Sequence, residues 1–131
     1  MSEVIIKSAS TEAKLAFSDV VNEYFTVAFS SASMNASHRV WVRTGDCERL
    51  VNLFLEIAEN WKGWEGTKTW DAIEDDFSLS CTSDKLGHIT LRCKFVGRDA
   101  PELWSAKFNV EVEAGQLKKI ANEVRRLFEE M

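Results

Sequence analysis

The chain has 131 residues, of which 45% are hydrophobic and 28% charged, with a formal net charge of −5. A chain of this length buries roughly two thirds of its unfolded surface as one domain, so we expect a single domain over residues 1–131. The acidic balance disfavours nucleic acid as a partner, because lysine and arginine supply the binding to phosphate.

The first 43 residues predict four short strands, because they are rich in β-branched and aromatic residues. The predicted strands cover residues 4–7, 14–21, 24–33 and 39–43. In the third strand Phe25, Val27 and Phe29 recur with a two-residue period, which indicates one buried face. Asn35 lies in a small, polar stretch that suits a turn, so we expect a hairpin over residues 24–43.

Helix-start chemistry follows the fourth strand. Residues 44–46 read Thr-Gly-Asp and offer an oxygen-bearing cap for the unpaired amides of a first turn. We expect helix one over residues 47–60, with Leu50 and Phe54 on a broad apolar stripe that packs on the sheet. Gly63 should end this helix.

The second half predicts a three-stranded meander. Residues 77–81 and 89–95 alternate between apolar and polar side chains, as in a half-buried antiparallel pair. Residues 83–87 supply the turn between them. A longer strand over residues 103–113 follows, and its alternation predicts that Trp104 faces the core.

Helix two is predicted over residues 116–130, where apolar residues recur at three- and four-residue spacing. The element order is therefore ββββαβββα, without the βαβ alternation of a parallel sheet. We expect an α+β fold in which a mostly antiparallel sheet of about seven strands carries two packed helices. The sequence shows no internal repeat.

The negative charge is concentrated in residues 56–76. This segment has seven acidic residues and only Lys62 and Lys68 as bases, so it carries the whole net charge of the chain. The same segment contains Trp61, Trp64 and Trp70. Three tryptophans in a glycine-punctuated connection are hard to bury completely, and aromatic anchors rimmed by charge are common in protein interfaces.

We therefore predict a partner-binding site in this segment. The predicted partner-binding residues are Glu56, Glu59, Trp64, Glu65, Trp70, Asp71, Glu74, Asp75 and Asp76. A concentrated acidic surface favours a basic partner, because opposite charge raises the rate of association.

Catalytic and metal chemistry finds little support in the sequence. The three cysteines form no CxxC pair, so we expect reduced thiols and no zinc site. Cys47 lies at a predicted helix start, but no histidine is paired with it locally and Asp46 opposes a thiolate. His38 and His88 lack a neighbouring nucleophile. We predict no catalytic residue.

Cofactor, metal and membrane signals are also missing from the sequence. The acidic run at residues 71–76 lacks the alternating acids and central glycine of an EF-hand loop, and no Gly-rich nucleotide motif occurs. The apolar runs are shorter than the roughly 20 residues that span a bilayer, and the N terminus shows no secretory signal. We expect a cytoplasmic protein without cofactor or metal.

One resemblance adds a functional expectation. It is carried by Trp61, Trp64, Gly66, Trp70, Gly87, His88 and Trp104. With this pattern the chain resembles small bacterial proteins of unknown function related to WapI-type immunity proteins, which accompany polymorphic toxins. The resemblance implies a cytoplasmic inhibitor that binds one cognate toxin, often a nuclease. It assigns no functional residue.

The sequence thus predicts a non-enzymatic protein that binds a basic partner such as a cognate toxin, and leaves the oligomeric state open. The alternative is a small-molecule-binding or catalytic α+β domain. In that case sheet and helices enclose a pocket that contains Cys47, His38 or His88. A third reading is an oligomeric structural partner.

Overall fold

The computed structural model describes residues 3–98 and 101–130, and in them the chain forms eight strands and two α-helices. The first half contains β1 (Glu3–Lys7), β2 (Lys14–Val21), β3 (Tyr24–Ser30), β4 (Asn35–Trp41) and α1 (Thr44–Glu59). The second half contains β5 (Lys68–Asp71), β6 (Phe77–Ser83), β7 (His88–Gly97), β8 (Trp104–Glu113), a 3-10 turn (Ala114–Gln116) and α2 (Leu117–Phe128). The predicted α+β fold with antiparallel pairing is confirmed.

Two details of the architecture differ from the prediction. The strands form two four-stranded sheets in place of one, with orders β1-β2-β3-β4 and β5-β6-β7-β8. The added strand is β5, which pairs with β6 so that Trp70 lies opposite Leu79. Because β5 has only four residues, its alternation is too short to stand out in the sequence.

The two halves of the chain repeat one topology. Each is a four-stranded antiparallel meander followed by a helix, although the sequence shows no repeat. Each helix packs against the sheet of the other half: α1 lies beside β5, and α2 lies on β1 and β2. The two helices also contact each other. Each half therefore buries apolar surface that belongs to the other half.

The centre of the core is a phenylalanine cluster with members from both sheets and both helices. It consists of Phe17 on β2, Phe25 on β3, Phe54 on α1, Phe77 on β6 and Phe128 on α2. Phe17 lies 5.9 Å from Phe25, 6.1 Å from Phe54 and 6.3 Å from Phe77 between ring centroids. The rings meet edge to face, the arrangement that aromatic quadrupoles favour. The cluster joins both sheets and both helices.

The start of α1 is held by Asp46. The helix begins at Thr44, three residues before the predicted start, and the buried Asp46 carboxylate accepts the backbone N–H of Arg43 at 2.9 Å. It also pairs with the guanidinium of Arg49. The hydrogen bond from Arg43 is the largest cause that holds the pKa of Asp46 below its ordinary value.

Replacing Phe77 with alanine should lower the free energy of unfolding by about 3–5 kcal/mol, because it opens a cavity where both sheets meet. Chemical denaturation measures this loss. Leu103→Ala is the control: the Leu103 side chain is 73% exposed, so its loss should change stability by less than about 0.5 kcal/mol. Equal effects of the two substitutions would contradict the central position of the cluster.

Candidate functional site

The structure separates the nine predicted partner-binding residues by exposure. Six carboxylates are exposed: Glu56, Glu59, Glu65, Asp71, Glu74 and Asp75. Trp64 is half-buried, whereas Trp70 and Asp76 are buried. The last two are therefore corrected: they do not belong to an exposed surface.

Trp70 belongs to the core because β5 turns it inward. Strand alternation places Trp70 inside and Asp71 outside. The indole ring is 4% exposed and lies 5.8 Å from the ring of Phe77, and its N–H donates to the backbone oxygen of Asp46 at 2.9 Å. Trp70 thus links β5 to the start of α1. The sequence did not predict strand β5, and for this reason Trp70 was assigned to the partner-binding surface instead of the core.

The other two tryptophans of residues 56–76, Trp61 and Trp64, follow the end of α1. Trp61 is 52% exposed, with the ammonium group of Lys62 5.4 Å from its ring centroid. Trp64 lies under Lys68, whose Nζ is 5.9 Å from the ring centroid and 3.2 Å from Glu56 Oε1. We name this region the Trp61 surface. It comprises Glu56, Glu59, Trp61, Trp64, Glu65 and Lys68.

A second region with concentrated polar chemistry is a cleft where the edge strand β4 meets the paired ends of β7 and β8. It encloses about 630 Å³. We name it the β4 cleft. Its lining residues are Thr26, Ser37, His38, Arg39, Glu74, Asp76, Val96, Arg98 and Trp104. The sequence analysis did not group these residues, because they come from three parts of the chain that only the packing of the two sheets brings together.

The β4 cleft contains a partly buried His–Asp pair. His38 points from the inner face of β4, and its Nε2 lies 2.7 Å from Asp76 Oδ2. The other carboxylate oxygen, Oδ1, is buried and accepts no hydrogen bond from any residue that the structure describes. An unpaired buried acceptor costs about 1–3 kcal/mol, which marks Asp76 as an incompletely satisfied group.

Trp104 forms one wall of the β4 cleft. It faces inward as predicted, but it is 42% exposed and not part of the core, which corrects that expectation. It lies at the first position of β8, opposite Gly97. Its ring lies over Gly97, where an added Cβ would come within 1.9 Å of the indole nitrogen, and 6.2 Å from the ring of His38.

The two arginines of the β4 cleft are held by the protein itself. Arg98 donates to the backbone oxygens of Glu74 and Asp75. Arg39 donates to Thr26 Oγ1 at 2.9 Å and to a backbone oxygen of β2 at 2.7 Å. The carboxylate of Glu74, in contrast, makes no hydrogen bond or ion pair with the described residues.

His88 and Asp84 close the turn between β6 and β7. Asp84 Oδ1 accepts the backbone N–H groups of Leu86 and His88, and Oδ2 lies 2.8 Å from His88 Nδ1. The hydrogen bond to Asp84 raises the pKa of His88. The backbone N–H of His88 is the main cause that lowers the pKa of Asp84.

The three cysteines are buried thiols. Burial raises the pKa of Cys47 to about 11, with smaller contributions from the charges of Asp46 and Glu48. Burial likewise raises the pKa of Cys81 to about 12 and raises that of Cys93. A second cleft of about 430 Å³ lies beside Cys47 between α1 and α2. A thiolate of Cys47 is therefore unfavourable in this cleft.

Residues 3–98 and 101–130 contain neither a metal-type cluster nor a membrane-type helix. Within these ranges no three His, Cys, Asp or Glu side chains are grouped so that they hold a metal ion. In the same ranges, neither α1 nor α2 has the length and the apolar composition that a membrane span requires.

The architecture defines an α+β protein built from two interlocked four-stranded sheets. The chain belongs to the family of unknown function DUF6228, whose family model matches residues 6–131. The match spans both sheets and both helices, so the family describes the whole fold. No curated protein matches the chain. The family description states no activity, and the resemblance to WapI-type immunity proteins stays a prediction.

The Asp84–His88 pair makes a prediction about pH. Because folding raises the pKa of His88, its contribution to stability is complete below its ordinary value of 6.5 and is lost as pH rises through the folded pKa. The lowered pKa of Asp84 contributes above its ordinary value of 3.8 and is lost as pH falls through the folded value. The pair therefore stabilises the turn most between these limits.

An NMR titration of the His88 ring should give a midpoint above 6.5, and Asp84→Asn should move that midpoint down toward 6.5. His38→Gln assigns the signals, because His38 is the other histidine of the chain. A His88 midpoint that is unchanged in Asp84→Asn would show that Asp84 does not set its pKa.

Proposed function

We propose that this protein is a cytoplasmic, non-enzymatic binding protein, an immunity protein that neutralises a cognate basic toxin through the Trp61 surface. One observation carries the proposal: Trp61 exposes half of a large aromatic side chain at the end of α1, and exposed carboxylates lie beside it in the chain. Trp61 was not among the predicted partner-binding residues, although it lies in the predicted segment.

The chemistry of the Trp61 surface suits a protein interface. Interfaces draw most of their binding energy from a few aromatic or arginine anchors that lose their water, surrounded by a polar rim. Trp61 and Trp64 supply such anchors, and Glu59 and Glu65 supply part of the rim. The indole N–H of Trp64 is buried and has no hydrogen-bond partner among the described residues, so Trp64 offers its ring rather than its N–H to a partner.

The charge of the surface favours a basic partner. Residues 56–76 carry the whole net charge of the chain, and six of their seven carboxylates are exposed. Lys68 offsets the charge of Glu56 only locally. A nuclease toxin needs a basic groove for its substrate, and an acidic surface approaches such a groove faster because opposite charges steer the encounter.

Removing the aromatic anchor should weaken toxin binding. Trp61→Ala should raise the Kd for the proposed cognate toxin at least about tenfold, because the side chain lies where partner contact is expected. Isothermal titration calorimetry measures the change. Tyr24→Ala is the matched control, since Tyr24 is another exposed aromatic but lies on β3. Equal Kd values for wild type and Trp61→Ala would refute this surface as the interface.

Reversing the charge should slow association. The double variant Glu59→Lys and Glu65→Lys should lower the association rate constant roughly tenfold at low salt and flatten its dependence on ionic strength. Stopped-flow mixing gives both quantities. Glu12→Lys with Glu102→Lys makes the same change in net charge outside the acidic segment and should leave the rate closer to wild type. Undiminished protection of toxin-expressing cells by the first double variant would count against the assignment.

A further inference from the structure

The β4 cleft shares no residue with the Trp61 surface. Its groups fall into two sets: those that the protein already engages and those that it leaves without a partner. The guanidinium groups of Arg39 and Arg98 donate to protein oxygens, and His38 holds one oxygen of Asp76. The second oxygen of Asp76 and the carboxylate of Glu74 remain as acceptors.

We infer that the β4 cleft binds a guanidinium or alkylammonium group, which donates hydrogen bonds to Asp76 Oδ1 and Glu74 and packs on the indole face of Trp104. The unsatisfied groups are acceptors with negative charge, so the missing partner is a donor with positive charge. An aromatic face beside them attracts the same kind of group through the cation–π interaction.

An anionic ligand fits the cleft less well. It would meet the carboxylates of Glu74 and Asp76, whereas Arg98 already donates to protein oxygens through both terminal nitrogens and Arg39 through one. Asp76 is a buried residue and its oxygen Oδ1 has no contact with solvent, which distinguishes it from the exposed carboxylates of the chain. The volume of about 630 Å³ also lies within the range typical of small-molecule sites.

The position of Trp104 depends on Gly97. The indole lies where the side chain of any other residue at position 97 would be, so the glycine makes room for a flat aromatic wall. Because solvent does not touch Asp76 Oδ1, an incoming donor reaches it only when the surrounding side chains move. Trp104 is 42% exposed and lies at the mouth, and its movement on binding gives a direct signal.

The test is a titration of the full chain with agmatine, a free guanidinium compound, and with the capped peptide acetyl-Gly-Arg-Gly-amide, followed by NMR of the Trp104 indole and the His38 ring. Both signals should shift with saturation. Asp76→Asn should weaken binding at least about tenfold, because it removes the charge but retains an oxygen for His38. Asp84→Asn is the matched control, since it changes the other Asp–His pair of the protein and should leave binding unchanged.

Two further variants test the site without changing the His38–Asp76 pair, whose loss could destabilise the fold. Trp104→Ala and Gly97→Ala change the aromatic wall at the mouth, and each should weaken binding while circular dichroism stays that of wild type. Urea, a neutral analogue of the guanidinium group, should give no saturable shift at the same concentration. Trp61→Ala should bind agmatine as wild type does, which separates this site from the proposed toxin interface.

The outcomes distinguish the source of the cationic group. Saturable binding of agmatine supports a site for a free small cation, and binding of the peptide alone supports a site for an arginine side chain of a protein. No shift of either signal with either probe would overturn the inference. Equal affinity of wild type and Asp76→Asn, or saturable binding of urea or acetate in place of agmatine, would overturn it as well.

Discussion

The packing of five phenylalanines is the constraint on which the rest of the structure depends. Phe17, Phe25, Phe54, Phe77 and Phe128 come from both sheets and both helices and meet edge to face. Since α1 lies beside the second sheet and α2 on the first, neither half of the chain can bury its own helix and sheet separately. This interlocking fixes how the two sheets approach each other. It thereby sets both the exposure of the α1 end and the opening of the β4 cleft.

The acidic segment illustrates how packing divides one stretch of sequence into different roles. Trp70 enters the core and donates a hydrogen bond to the backbone of Asp46, and Asp76 is buried against His38. Trp61 stays exposed at the end of α1. The two candidate sites therefore share one segment but differ in physics. The first is an exposed aromatic and acidic surface suited to a protein, and the second is a cleft with an unsatisfied buried carboxylate suited to a small cationic group.

Much of the fold could be predicted because the longer elements carry complete hydrophobic periods. In the ten-residue strands β7 and β8 apolar residues recur every two positions, and in helix α2 they recur every three or four. This periodicity gives the type and the inward face of each element. The strand β5 was missed because four residues hold only two inward positions. The number of sheets also escaped prediction, because alternation shows which face is buried and carries no information about which strands are neighbours.

The sequence by itself determined the antiparallel α+β class, the position of the net negative charge and the absence of an activated thiol pattern, since these depend on local periodicity and composition. Only the tertiary structure decided which charged and aromatic residues are exposed. His38 and Asp76 are 38 residues apart in the chain, and their contact arises when β4 of one sheet approaches the start of β6 in the other. Trp104 follows the alternation of its strand, yet its exposure depends on where the facing sheet ends. A local pattern shows which face of an element points inward, but the exposure of a side chain on that face depends on the assembled layers.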